Sequence, residues 1–292
     1  MSYATLLSAA CGVDGDDDAV SVSAQIAQRQ AALVRALPAF PDQTIAATNW
    51  GASGAYLAPE VIEEFTRIRA DLAGKLSACA EAAAAREGLA FGPGENGSSR
   101  NGPRLFVEPV PRLPWRALTL ALPLVDLVVM SLGAAKGAGL SSGPFADALM
   151  AARAPVLITR GPDFPDKGVV GIAWDGGLEA GRAVRAAMPL LLEAEAIVIL
   201  QDSHALEQDQ REAAAPERLA DYLRACGVKS TSSLQVSHGA EGAPLVAAAE
   251  KAGAHLLVNG AYGHSRVREW IWGGATRGVL AAQRGPHLLL AH

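Results

Sequence analysis

The sequence is poor in aromatic residues and cysteine and has no cluster of positive charge, and each scarcity removes a class of function. Phe, Trp and Tyr make up 5% of the chain while hydrophobic residues reach 50%, so the core is built mainly of Ala, Val and Leu. That composition suits close packing of helices on a sheet and excludes a disordered chain. A net charge of −5 without a run of Lys or Arg excludes a nucleic-acid surface and an anionic-membrane surface, since both need concentrated positive charge. The three cysteines, Cys11, Cys79 and Cys226, are scattered and odd in number, which fits a reducing compartment better than a disulfide framework. The histidines show no metal-ligand spacing, so no metal site is expected. The longest apolar run, Ala117 to Leu132, is interrupted by Pro123 and Asp126 and is too short to span a bilayer. LLSAAC, Leu6 to Cys11, has the letters of a lipoprotein cleavage box but neither the basic residues nor the long apolar core of a signal peptide. A cytoplasmic protein with no membrane or nucleic-acid partner is expected.

A chain of 292 residues is long enough for two domains, and it repeats itself. VDLVVMSLG (Val125 to Gly133) parallels AHLLVNGAYG (Ala254 to Gly263), and ARAPVLIT (Ala152 to Thr159) parallels QRGPHLLLA (Gln283 to Ala291), both at an offset of about 130 residues. In the second half, strands at Val169 to Trp174, Ala196 to Gln201, near Ser232 to Ser237, His255 to Gly260 and His287 to Ala291 alternate with helices. The helices fall at Leu178 to Leu192, Pro216 to Cys226 and Pro244 to Ala252. Continuous apolar strands alternating with helices predict a parallel sheet covered on both faces, a doubly wound α/β domain. The first half reads the same way with strands at Ala4 to Ala9, Thr44 to Asn49, Leu105 to Val107, Leu127 to Ser131 and Val156 to Thr159, and a long helix over Pro59 to Arg86. Pro, Gly and Asp cluster at Gly161 to Gly168, which places the boundary between domains 1–162 and 163–292. The Pro-led apolar ending of each half predicts that Val156 to Thr159 and His287 to Ala291 pair, covering two sheet edges.

The candidate site lies where HLLVNG opens into GAYGHSRVREWIWGGAT, Gly260 to Thr276. Glycines at Gly260, Gly263, Gly273 and Gly274 allow backbone N–H groups to approach an anion that a Cβ would keep away. In an open α/β sheet, ligands bind beyond the carboxyl ends of the strands where the winding direction reverses. Asp175 ends the first strand of this half, and Asn259 and Gly260 end the fourth. Asp175 is a ligand contact or the cap of the following helix, Trp174 stacks on a base or packs in the core, and Thr276 supplies a hydroxyl or caps a helix. Arg266 and Arg268 reach phosphate or are simply solvated. Trp270 and Trp272 wedge the loop against the sheet.

The spacing G-x2-G-x9-G-G resembles the nucleotide loop of the universal stress protein family, G-x2-G-x9-G followed by Ser or Thr, with Gly274 in place of that hydroxyl residue. The resemblance covers nearly all of the second half and, in degenerate form, much of the first. It implies five-stranded parallel domains of the adenine-nucleotide alpha-hydrolase type, paired through their last strands as an internal pseudo-dimer, with a homodimer possible in addition. It also implies ATP or another adenine nucleotide as ligand, accompanied by Mg. Ala173, Trp174 and Asp175 would face the nucleoside, Asn259 and Gly260 would flank it, and Gly263, Gly273, Gly274 and Ala275 would hold phosphates through backbone amides. The implied role is a stress-responsive regulator, with no catalysis beyond slow, incidental ATP hydrolysis.

The first half carries Ser131 where the second has Gly260 and Ala134 where it has Gly263, and its first strand is followed by no close acid before Asp14. One nucleotide per chain is the expectation. Two other readings compete: an interaction module that has lost nucleotide binding, and a serine hydrolase using Ser141 of GLSSG with His238 as base. GAAKGAG separates Ser141 from the preceding strand, whereas a nucleophile elbow joins strand to helix directly. The same segment lacks the G-K-[ST] ending of a P-loop.

Overall fold

A computed structural model describes residues 1–39, 59–93, 102–109, 116–137, 143–202, 206, 212–236, 243–261 and 274–292. They form two compact units, one built from Ser2–Ala154 and Gly161–Asp163, the other from Pro155–Arg160 and Phe164–His292.

The N-terminal unit runs β1 (Thr5–Ala10), α1 (Asp16–Gln30), β2 (Leu33–Pro38), α2 (Pro59–Glu87), β3 (Ala90–Phe91), β4 (Arg104–Val107), α3 (Ala117–Ala121), β5 (Leu127–Ser131) and α4 (Leu132–Lys136). Its strands lie in the order β3-β4-β2-β1-β5, every neighbouring pair parallel. Asp126, just before β5, accepts from the backbone N–H groups of Ala4 and Thr5 at 2.7 and 2.9 Å, which fixes the start of β1 beside it. LLSAAC is therefore mostly a buried central strand, with Cys11 just past its end.

Neither α1 nor β2 was expected from the sequence; the strand expected at Thr44 to Asn49 lies outside the described residues. The reason is that polar letters occupy buried positions. Ser21 and Ser23 are buried on α1 among Val20, Val22 and Ile26, which blurs the apolar period. Ser23 satisfies its hydroxyl by donating to the carbonyl of Ala19 at 2.7 Å. In β2 the apolar run is broken by Arg35, whose guanidinium pairs with Glu108 beyond β4.

The C-terminal unit runs β6 (Val156–Thr159), β7 (Val169–Ala173), α5 (Leu178–Glu193), β8 (Ala196–Gln201), α6 (Pro216–Ala225), β9 (Thr231–Gln235), α7 (Ala243–Lys251), β10 (Ala254–Gly260), α8 (Gly274–Ala281) and β11 (His287–Ala291). The strand order is β6-β11-β10-β7-β8-β9, with β7 to β11 parallel and β6 antiparallel to β11. The two Pro-led segments do pair, with Val156, Leu157 and Ile158 opposite Leu290, Leu289 and Leu288, all fully buried. In the compact units β6 is the sixth strand of the C-terminal sheet, where the sequence had assigned it to the first half. Arg160 holds it there. Its backbone N–H donates to His287 Nδ1 at 3.1 Å, and its guanidinium donates to the carbonyls of Pro286 at 2.6 Å and Val279 at 2.5 Å.

Candidate functional site

β7 and β10 are neighbours, and their register sets Ala173 opposite Asn259 at the carboxyl ends of both strands. β8 lies on one side of this pair and β11 on the other. The next strand in sequence after β7 lies on one side and the strand after β10 on the other, so the winding reverses here, at the place where ligands bind in open α/β sheets.

Beyond β7 the chain turns through Trp174, Asp175 and the left-handed Gly176 (φ 75°) into α5. Asp175 Oδ1 accepts the N–H of Gly177 at 2.8 Å. Gly177 is the cap residue of α5 and makes no side-chain capping bond, so Asp175 closes the turn ahead of the helix. The first turn of α5 then lies directly on Gly260. A Cβ there would run into the backbone of Glu179 and Ala180, so this glycine has a packing requirement of its own. Asn259 is buried, and among the described residues its Nδ2 has no hydrogen-bond partner. A buried amide left unpaired costs free energy, and in native structures such a group calls for an explanation.

Sequence reasoning missed Gln201, at the end of β8. Its side-chain amide donates to the carbonyl of Ala214 at 2.6 Å and to that of Trp174 at 3.4 Å, and its oxygen accepts from Gln235 Nε2 at 3.2 Å. The signal was a lone polar residue closing the apolar strand AIVILQ. Ala213 and Ala214 in turn lie on Gly176, where a Cβ would come within 2.7 Å of their backbone. Among the described residues the buried Nε1 of Trp174 has no partner, and its side chain lines a cleft between α5 and α6.

Gly263, Gly273, Arg266, Arg268, Trp270 and Trp272 lie outside the described residues, as do Ser141 and His238. Gly274, Ala275 and Thr276 form the opening of α8, which puts Thr276 inside the first turn rather than at the cap. First-turn N–H groups have no partner within a helix and remain available to an anion. β5 passes straight into α4 at Leu132, so the strand-to-helix turn there does not contain GLSSG. Among the described residues, no group of three His, Cys, Asp or Glu side chains is placed to hold a metal ion.

The corresponding place in the N-terminal unit, between the ends of β1 and β5, is built differently. Asp16 Oδ2 accepts the N–H groups of Gly12 and Val13 at 2.7 and 3.2 Å, and Ser131 Oγ donates to Asp16 Oδ1 at 3.2 Å. Gly15 abuts Ser131, and Gly133 abuts the carbonyl of Asp14. Burial pushes the Asp16 carboxyl above the ordinary carboxylate range, against the pull of those hydrogen bonds. Burial, then the Asp16 charge, pushes the Cys11 thiol up to about 12, which leaves it un-ionised and unreactive.

By sequence, no family model and no curated protein matches the chain. By structure, a universal stress protein from Archaeoglobus fulgidus superposes with a TM-score of 0.64 at 14% identity, covering 98% of this chain and 95% of that one. A Pseudomonas aeruginosa protein assigned to the universal stress proteins gives 0.51 at 13% identity, covering 99% and 93%. The fold is that of the universal stress proteins. It extends over both units, so the doubly wound α/β architecture expected from the strand and helix pattern is the one observed. Among the described residues no helix is long and apolar enough to cross a membrane.

Proposed function

We propose that the C-terminal unit of this universal-stress-type protein binds ATP or a related adenine nucleotide in the crevice between β7 and β10. On this reading the protein is a cytoplasmic stress-response regulator that works by binding and not by catalysis. The observation that carries it is Asn259: a buried side-chain amide whose Nδ2 has no partner among the described residues, at the point where the winding of the sheet reverses. A ribose hydroxyl, a ring nitrogen or a phosphate oxygen would satisfy that donor. The uncapped start of α5 and the glycine-led start of α8 add backbone N–H groups suited to phosphate, in keeping with the spacing of Gly260, Gly263, Gly273 and Gly274. Mg would enter only as the counter-ion of the nucleotide.

Titration calorimetry with ATP, ADP and AMP on the purified protein and on Gly263→Arg tests this reading. Binding of at least one nucleotide to the wild type and none to the variant is expected, because the added side chain would fill the space phosphates need. Absence of heat with all three, from protein freed of any co-purified nucleotide, would favour the reading in which binding has been lost.

A further inference from the structure

A second site is suggested by the cleft between α5 and α6, which has a volume of about 280 Å³. Trp174, Val184, Leu219 and Tyr222 contribute rings and aliphatic surface, and Arg185 and Arg218 contribute two guanidinium groups. Among the described residues no carboxylate lines it, and Asp175, Asn259 and Gly260 are not part of its wall. The neighbouring arginines of the same helices are paired: Arg182 with Glu179 at 3.2 Å on α5 and Arg224 with Asp221 at 2.6 Å on α6. Arg185 and Arg218 form no such pair among the described residues; Arg218 makes one long bond, 3.4 Å, to the carbonyl of Glu212. Among the described residues, two cations without an ion-pair partner, two aromatic side chains and a buried indole N–H without an acceptor line one small concavity.

We propose that this cleft binds a small aromatic anion, its ring against Trp174 and Tyr222 and its acidic group held by Arg185 and Arg218. Guanidinium forks match planar or tetrahedral oxyanions, and a cleft of this size accommodates about one ring and its acidic group. The cleft shares Trp174 with the residues that the resemblance sets against the nucleoside but includes none of Asp175, Asn259 and Gly260, so binding in the presence of saturating ATP separates the two sites.

The test is an NMR titration of the full chain with phenyl phosphate, following the indole N–H resonances, with Trp174 assigned through Trp174→Phe. Saturable movement of the Trp174 signal is expected with phenyl phosphate and not with benzyl alcohol. The exposed positions of Arg185 and Arg218 allow Arg185→Gln/Arg218→Gln to fold, which circular dichroism checks, and its affinity should fall at least about fivefold. The shift should persist in saturating ATP. Unchanged affinity in the folded double variant, equal response to benzyl alcohol, displacement by ATP, or no saturable shift would each overturn the proposal.

Discussion

Ser131, the last residue of β5, donates its hydroxyl to Asp16, the first residue of α1, at 3.2 Å across 115 residues of sequence. A Cβ on Gly15 would meet Ser131 and one on Gly133 the carbonyl of Asp14, so the ends of β1 and β5 are tied together with little space between them. Asp17 and Asp18 follow Asp16 in the first turn of α1 and set negative charge where a phosphate would have to sit. One nucleotide per chain is therefore predicted. A calorimetric stoichiometry of two would show that the first unit also binds.

Asp16 gives a pH signature. Its folded-state pKa is raised by burial, so its contribution favours folding below the ordinary carboxylate pKa of about 4 and is lost as pH rises through the raised value. Asp16→Asn removes this dependence while keeping an acceptor for Gly12. Wild type minus variant melting temperature should be greatest near pH 4 and should decline to a plateau by neutrality. A difference that grows with pH would mean that the carboxylate is net stabilising when charged.

Asn259→Leu should separate function from stability. Removing an unpaired buried amide is expected to raise the unfolding free energy by about 1 kcal/mol, while nucleotide affinity falls about tenfold or more. Urea unfolding and calorimetry on the same variant check both halves. A loss of stability would imply that the amide has an important partner within the fold.

Two glycines should respond oppositely to alanine. Gly260→Ala places a Cβ against the backbone of Glu179 and Ala180 and should cost about 1–3 kcal/mol. Gly74, inside α2, has nothing within 4 Å of its Cβ position, so Gly74→Ala should stabilise by about 0.5–1 kcal/mol. Denaturant unfolding distinguishes them, and equal effects would refute the packing role assigned to Gly260.

The sequence by itself determined the doubly wound α/β class and nearly every element of the second half. Its strands are continuous apolar runs, and Gly and Pro punctuate them, so short-range patterning suffices. Strands β5, β6, β7, β8 and β11 begin and end within a residue of where the pattern sets them. It also put Asp175 and Asn259 at strand ends that prove to be neighbours, because a parallel crossover brings the carboxyl ends of its strands to one side of the sheet. Only the tertiary structure decided what depends on partners distant in the chain. That α1 is a helix despite its buried serines depends on local back-bonding and on the sheet it packs against. That β6 belongs with the C-terminal sheet depends on Arg160 reaching His287, Pro286 and Val279. That Asp175 closes a turn, that Gly260 is required by α5, and that Gln201 ties Trp174 to Ala214 are likewise contacts made by the folded chain. Residue type and spacing specify which groups a segment presents, and the packing of other segments determines which of those groups remain unsatisfied and open to a ligand.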